Sequence, residues 1–116
     1  MAATPTPRRG DVWLVTLDPT VGHEVQKTRP AVVVTSDLYN RENWVLIVVP
    51  LTSHPTAEYD QVLVLPPEGG LTSPSVTLPD QLRAVDRSRL ARKLGRLKPA
   101  SMSKLDKSLR IVLDLF

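Results

Sequence analysis

Two side chains stand where apolar runs meet polar loops, and their types suit phosphate chemistry. Arg29 is joined to Pro30 at the mouth of the run AVVV, and Thr52 closes the run VLIVVPLT. A guanidinium presents a planar fork of N–H donors matched to phosphate oxygens, and a hydroxyl adds a further hydrogen bond. If the two runs are antiparallel neighbours in a hairpin, the start of one and the end of the other lie at the same end of the sheet. Arg29 and Thr52 would then share a polar mouth on an apolar base, approached by Glu24 and Lys27 from the preceding loop, TVGHEVQKT. A plainer arrangement fits the same pattern: Arg29 closes a strand and pairs with Glu24 on the surface, an interaction that is common and weakly stabilising.

Other chemistries have less support. There is no cysteine, so disulfides and thiolate metal sites are excluded. His23 and His54 are the only histidines, and neither has a carboxylate at a helical ligand spacing, so no metal and no cofactor are expected. No glycine-rich phosphate loop or nucleophile elbow occurs. Both histidines fall in loops beside strands, and imidazoles titrate near neutrality. They could form an acid–base pair able to cleave RNA without metal, or be two solvated bystanders.

The elements that must position these groups are short. The 116 residues are the length of one compact domain. The segment 1–9, with Pro5 and Pro7 and no periodicity, reads as a disordered tail, leaving 10–116 as the domain. GDVWLVTLDP is a first strand ending at the turn pair Asp18-Pro19, and the polar loop after it is long enough to carry function. RPAVVVTS and WVLIVVPLTS read as strands buried on both faces, with the DLYNREN between them as loop. YDQVLVLPP is a fourth strand, and SVTLPDQLRAVD a strand interrupted at Pro79. DRSRLARKLGRL is either a helix stopped by Gly95 or a turn followed by a strand. After Pro99 a helix is predicted, capped by Ser101 or Ser103, with Leu105, Leu109, Val112 and Leu113 on its apolar face. Many short strands without helical crossovers imply a mainly β (α+β) fold: a small, strongly curved antiparallel barrel with a C-terminal helix.

Charge is split along the chain. Residues 1–82 carry 5 Lys/Arg against 9 Asp/Glu, whereas residues 83–116 carry 10 against 3. An excess of that kind suits a polyanion or an acidic protein partner, or simply solvates one face. Five aromatic residues are too few for an extended base-stacking platform. No apolar stretch reaches bilayer-spanning length and the N-terminal residues lack a signal-peptide core, so a cytoplasmic protein with no membrane partner is expected.

The blocks RRGDVWLVTLDPTVGHEVQKTRPAVVVTSDLYN, VPLTS, SVTLPDQLRAVDRSRL and KLGRL, in this order and spacing, resemble the MazF/PemK family of toxin endoribonucleases from about Arg9 to the C-terminal helix. The resemblance implies an SH3-like, CcdB/PemK-like barrel that acts as a homodimer and cuts single-stranded RNA (mRNA) at a short recognition sequence. It implies metal-independent attack by the neighbouring 2′-hydroxyl, giving a 2′,3′-cyclic phosphate and a 5′-hydroxyl, and restraint by an acidic MazE-like antitoxin. Carried over residue by residue, the catalytic groups are Arg29 in KTRP, Thr52 in PLTS and Glu24 in GHE. Substrate contacts fall on Ser75, Asp80 and Gln81 in SVTLPDQ, with His23, Lys27 and Ser53 nearby. His23 departs from many relatives, where a smaller polar residue is common, and so does the make-up of EVQKT; both bear on sequence preference more than on chemistry. Arg83, Arg87, Arg89, Arg92, Lys93, Arg96 and Lys98 are candidate contacts for RNA backbone or antitoxin. Two other readings of the barrel are a non-catalytic CcdB-like toxin and an SH3-like binding module, since a fold alone does not fix an activity.

Overall fold

A computed structural model of the chain describes residues 5–24, 27–54 and 60–116. Its elements follow in the order β1 (Asp11–Thr16), β2 (Thr28–Val33), α1 (Asp37–Glu42), β3 (Val45–Thr52), β4 (Leu63–Val64), β5 (Ser75–Thr77), β6 (Arg83–Asp86), β7 (Leu90–Arg96) and α2 (Pro99–Leu113). Single turns of 3-10 helix lie at Glu68–Gly70, Pro79–Gln81 and Arg87–Arg89.

The sheet is organised by β3. One of its edges pairs with β2, from Ala31↔Pro50 to Val33↔Val48. The other edge pairs first with β6, from Val45↔Asp86 to Val48↔Arg83, and then with β5 at Leu51↔Thr77 and Thr52↔Val76. The change of partner falls at Val49-Pro50, where proline has no N–H for a ladder; the Pro50 carbonyl accepts instead from the Leu78 N–H at 2.9 Å. All pairs are antiparallel, the order being β4-β5-β3-β2-β1-β7 with β6 on β3. The sheet curls into a half-barrel, as the strand pattern and the family resemblance imply.

Alternation fills two cores. Val12, Val32, Val49 and Leu51 enter one cluster, whereas Trp13, Val15, Ala31, Val33 and Val48 enter the other. Consecutive strand residues point to opposite faces, so strands covered on both sides must be apolar throughout, which accounts for the unbroken runs in β2 and β3. The segment 87–97 is a 3-10 turn plus β7, resolving the helix-or-strand alternative. At β7 the 3-10 turn of Glu68–Gly70 lies against the backbone: a Cβ on Gly70 would fall 2.0 Å from the Leu94 carbonyl oxygen, and one on Gly95 2.7 Å from the Gly69 carbonyl carbon. No side chain fits in either place.

Several expectations need correction. DLYNREN is not loop: Ser36 accepts a hydrogen bond from the Tyr39 N–H and caps α1, while buried Asn40 fastens its side chain to Thr35. The tail expected to be structureless is anchored over 5–9. Pro7 is buried, the Arg9 N–H donates to Asp37 at 2.7 Å, and the Arg9 guanidinium pairs with Asp106 of α2. Residues 1–4 lie outside the described residues. The fourth strand is reduced to Leu63–Val64, and Tyr59 also lies outside them. In α2 the buried face is Met102, Leu105 and Ser108, with Leu109 packed against the core; Val112 and Leu113 are exposed. Among the described residues, no helix is long and apolar enough to cross a membrane.

Neither Ser101 nor Ser103 caps α2, because the helix begins earlier, at Pro99. Lys98 occupies the cap position and offers no side-chain cap; its N–H donates to the Glu68 carboxylate at 3.0 Å. Burial pushes the Glu68 carboxyl up, but hydrogen bonds from Ser101 and the Lys98 backbone, with the charges of Lys98 and Lys104, outweigh it and hold the group below its ordinary value. A carboxyl lowered on folding adds stability above its unfolded pKa and loses it as pH falls through the folded one. Glu68→Gln, which keeps an acceptor but loses the charge at the positive helix end, should therefore cost about 0.5–1 kcal/mol at pH 7. Melting curves should show that gap closing in acid; a gap constant with pH would refute the role.

Candidate active site

The β2–β3 ladder fixes the site. Its last pair is Ala31↔Pro50; the same register carried two residues beyond that pair would set position 29 opposite position 52. Directly opposed residues on antiparallel strands carry Cβ atoms roughly 5 Å apart and share a face. On its other edge Arg29 is opposite Val15 of β1, which is fully buried. Arg29 is half-buried and stands at the rim of the second apolar cluster. Thr52 is buried, and its Oγ1 accepts the His54 N–H at 3.1 Å. A hydroxyl has one donor and two acceptor sites, and the Thr52 proton has no acceptor among the described residues.

The end of β3 runs between two pockets. The first, of about 300 Å³, is bordered by Arg29, Leu51, Ser53, Ser75 and Arg92. The second, of about 170 Å³, is bordered by Glu24, Pro50, Asp80, Gln81 and Arg83. Six of the nine candidate site residues thus line one pocket or the other, and Thr52 stands on the strand between them. His23 and Lys27 are exposed on the β1–β2 loop and border neither; His54, the other half of the two-histidine alternative, is exposed after β3 and borders neither. Val25 and Gln26 lie outside the described residues. No group of three or more His, Asp or Glu among the described residues could hold a metal ion.

The loop that carries His23, Glu24 and Lys27 is tied at its base. The Leu17 N–H donates to the Lys27 carbonyl at 3.0 Å, and the Lys27 N–H to Asp18 Oδ1 at 2.9 Å, with Lys27 at φ 69°. Glu24 Oε1 accepts the Val21 N–H at 2.7 Å, which fixes its carboxylate over its own turn. Two arginines, from β6 and from the turn before β7, complete the closure. Arg83 Nη1 donates to the Leu17 carbonyl at 2.9 Å, and Arg89 Nη1 to the carbonyls of Thr16 and Asp18 at 3.1 and 2.6 Å. Asp86 accepts the Ser88 N–H and orders the turn bearing Arg87 and Arg89. The hydrogen bonds of Ser88, side chain and backbone, with the Arg89 charge, hold its carboxyl below the ordinary value.

These bonds revise the reading of the basic segment. Arg87 donates to the carbonyls of Asn40 and Asn43 and lies 5.6 Å from the centre of the Trp44 ring. Arg96 and Lys93 pair with the buried carboxylate of Asp11 at 2.9 and 3.5 Å. Of the five arginines from 83 to 96, four hold backbone carbonyls or Asp11, and only Arg92 has no hydrogen-bond or ion-pair partner among the described residues.

The family model of the PemK-like, MazF-like toxins of type II toxin-antitoxin systems matches residues 8–113. The chain belongs to this family. Endoribonuclease MazF9 of Mycobacterium tuberculosis is 38% identical over 115 residues, covering 94% of this chain and 98% of that protein. The crystal structure of MazF from Deinococcus radiodurans superposes with a TM-score of 0.84 at 26% identity, over 96% of this chain and 99% of that one. A mycobacterial endoribonuclease solved in complex with its cognate antitoxin gives a TM-score of 0.79 at 24% identity, over 95% and 97% of the two chains, a likeness of fold.

In this PemK-like chain Arg83 and Arg89 position the loop. They were not legible as such, because their acceptors lie 66 to 73 residues away. Arg89→Ala should speed hydrogen exchange at the Lys27 amide by roughly tenfold, since its acceptor Asp18 loses its own tether, while thermal stability changes little at this exposed clamp. Unaltered exchange would show that Asp18 and Lys27 hold the loop unaided.

Proposed function

We propose that the protein is an endoribonuclease toxin of a toxin–antitoxin pair, cleaving single-stranded RNA at a short sequence without a metal or cofactor. What supports the reading is the antiparallel β2–β3 pairing, recorded as far as Ala31↔Pro50, which puts the start of β2 and the end of β3 at one end of the sheet, in a chain 38% identical to a curated endoribonuclease. The 2′-oxygen attacks the adjacent phosphorus, a P–O bond forms and the bond to the 5′-oxygen breaks, giving a 2′,3′-cyclic phosphate and a 5′-hydroxyl. Negative charge grows on the non-bridging oxygens as the bond forms. A fixed guanidinium and a hydroxyl donor stabilise that state more than the ground state.

A guanidinium is a poor proton acceptor because it stays protonated. Arg29 therefore serves as hydrogen-bond donor to the phosphoryl and leaving oxygens, and the departing 5′-oxygen takes its proton from solvent. Glu24 receives the 2′-hydroxyl proton, with His23 beside it as the second candidate. Asp80 and Gln81, which border the same pocket as Glu24, offer acceptors and an amide to base edges; Ser53 and Ser75 offer hydroxyls on the other side of β3. His23 and Lys27, exposed on the loop, approach the RNA from above. We further infer a cytoplasmic homodimer restrained by an acidic MazE-like antitoxin, in keeping with the family's place in type II toxin-antitoxin systems and with the complex solved for the mycobacterial neighbour.

Incubating the protein with a long single-stranded RNA in EDTA should give cuts at a repeated short sequence, with cyclic phosphate and 5′-hydroxyl ends. Arg29→Ala should lower kcat by about 10²–10³, as for removal of one transition-state donor, and Thr52→Val by about 10–10². Absence of cuts, or cuts that survive Arg29→Ala, would overturn the reading. The proton acceptor is tested separately: Glu24→Gln should flatten the acidic limb of the pH–rate profile and His23→Ala should leave it, whereas a limb retained in both would remove Glu24 from the role.

A further inference from the structure

Arg92 differs from every arginine around it. It is exposed on β7, paired across β1 with Leu14, and engages no acceptor among the described residues. It borders the 300 Å³ pocket that Arg29 and Ser53 also border, beside the proposed scissile site. Leu14, which faces Arg92 across one edge of β1, faces Pro30 across the other. Two inter-strand spacings, roughly 10 Å, therefore separate the Arg92 backbone from that of Pro30.

The two pockets differ in chemistry. The second is bordered by the carboxylates of Glu24 and Asp80 and by Arg83, whose guanidinium is held on the Leu17 carbonyl. The first is bordered by no carboxylate: leucines, the hydroxyl residues Ser53, Thr72, Ser73 and Ser75, and the arginines Arg29 and Arg92 line it. A volume of about 300 Å³ suffices for one nucleobase, and pockets of this size with an apolar base and a few polar groups are typical of small-ligand subsites. An exposed guanidinium at the edge of such a pocket, with no acidic neighbour on its rim, is placed for a second phosphate.

We propose that this pocket is a flanking-nucleotide subsite: Arg92 binds an RNA phosphate adjacent to the scissile one, and the attached base rests among the leucines and hydroxyl residues. The inference rests on the endoribonuclease reading and deepens it. An Arg92 contact tightens substrate binding without touching the reacting atoms, so it acts on KM more than on kcat. Because the contact is to backbone, it carries affinity rather than sequence choice.

The test uses an oligonucleotide spanning a mapped cut site, with the attacking 2′-hydroxyl replaced by hydrogen so that binding is read without cleavage. Arg92→Ala should weaken binding by roughly tenfold at low salt and reduce the slope of log affinity against log salt by about 0.7, the value for one phosphate on a single strand. Arg92→Lys should recover most of both. Replacing phosphates one at a time with methylphosphonate should locate one linkage next to the cut at which wild type and Arg92→Ala become equal. On the cleavable RNA the same variant should raise KM more than it lowers kcat. Wild-type cleavage with affinity and salt slope untouched by Arg92→Ala overturns the subsite alone; a wild type that neither binds nor cuts RNA overturns the parent reading. Loss of affinity confined to a Glu/Asp-rich peptide would assign Arg92 to a protein partner and also overturn the subsite.

Discussion

β3 is held on one edge by β2 and on the other by β6 and then β5, and this division of its second edge governs the rest of the molecule. Up to Val48 the strand is paired on both edges, with β2 and with β6. At Pro50 the missing N–H releases it from β6, the sheet turns, and the last residues pair with β5 instead. Thr52 is carried to the place where the two parts of the sheet diverge, and the pockets on either side arise from that divergence. Register does the remaining work. Because side chains alternate with a period of two, a slip of one residue between β2 and β3 would send position 29 to the opposite face from position 52 and empty the site. The apolar alternation of Ala31 to Val33 against Val48 and Val49, which fills two cores at once, fixes that register.

Legibility from sequence followed the same physics. β2 and β3 were readable because burial on both faces leaves no choice but apolar residues. α1 was not, since six residues of which only Leu38 is aliphatic form a helix through the Ser36 cap and the anchoring of Asn40. β7 looked ambiguous because Leu90 and Leu94 recur at a helical interval. In the fold Leu90 packs against the second cluster and Leu94 against the first, along an edge strand whose register with β1 shifts between Val12 and Trp13 and between Leu14 and Val15. The interval therefore marks no single apolar face. For the site, the loop and strand ends were legible through their polar residues, and the conjunction of Arg29 with Thr52 followed from assuming a hairpin. What stayed hidden was the use made of the basic segment, because a guanidinium bound to a carbonyl 66 residues away leaves no local signature.

That basic segment has two roles that composition cannot separate. Arg83, Arg87, Arg89 and Arg96 donate to carbonyls or to Asp11, so their charge is tied to the fold. Carbonyl acceptors do not neutralise a cation, however, and the field of these groups persists around the rim of the sheet. A polyanion approaching that rim meets a positive potential even where each guanidinium is occupied, screened over roughly 8–10 Å at physiological ionic strength. Structural arginines of this segment can thus steer a ligand they do not touch.

The two pockets extend this division. Glu24 and Asp80 supply acceptors suited to the amino groups of bases on one side of β3, while the leucine, hydroxyl and Arg92 surface on the other side carries no carboxylate. An RNA strand crossing the end of β3 would find its backbone and base edges sorted by charge to opposite sides, with the phosphate at the crossing held over Arg29 and Thr52. An asymmetric electrostatic environment of that kind orients a chain with direction. Orientation is what in-line attack requires, since the 2′-oxygen must approach phosphorus opposite the departing 5′-oxygen and no rotation of a misaligned strand within the site would correct it. On the proposed reading the carboxylates and Arg92 favour one strand direction in binding, a contribution separate from the transition-state stabilisation proposed for Arg29 and Thr52.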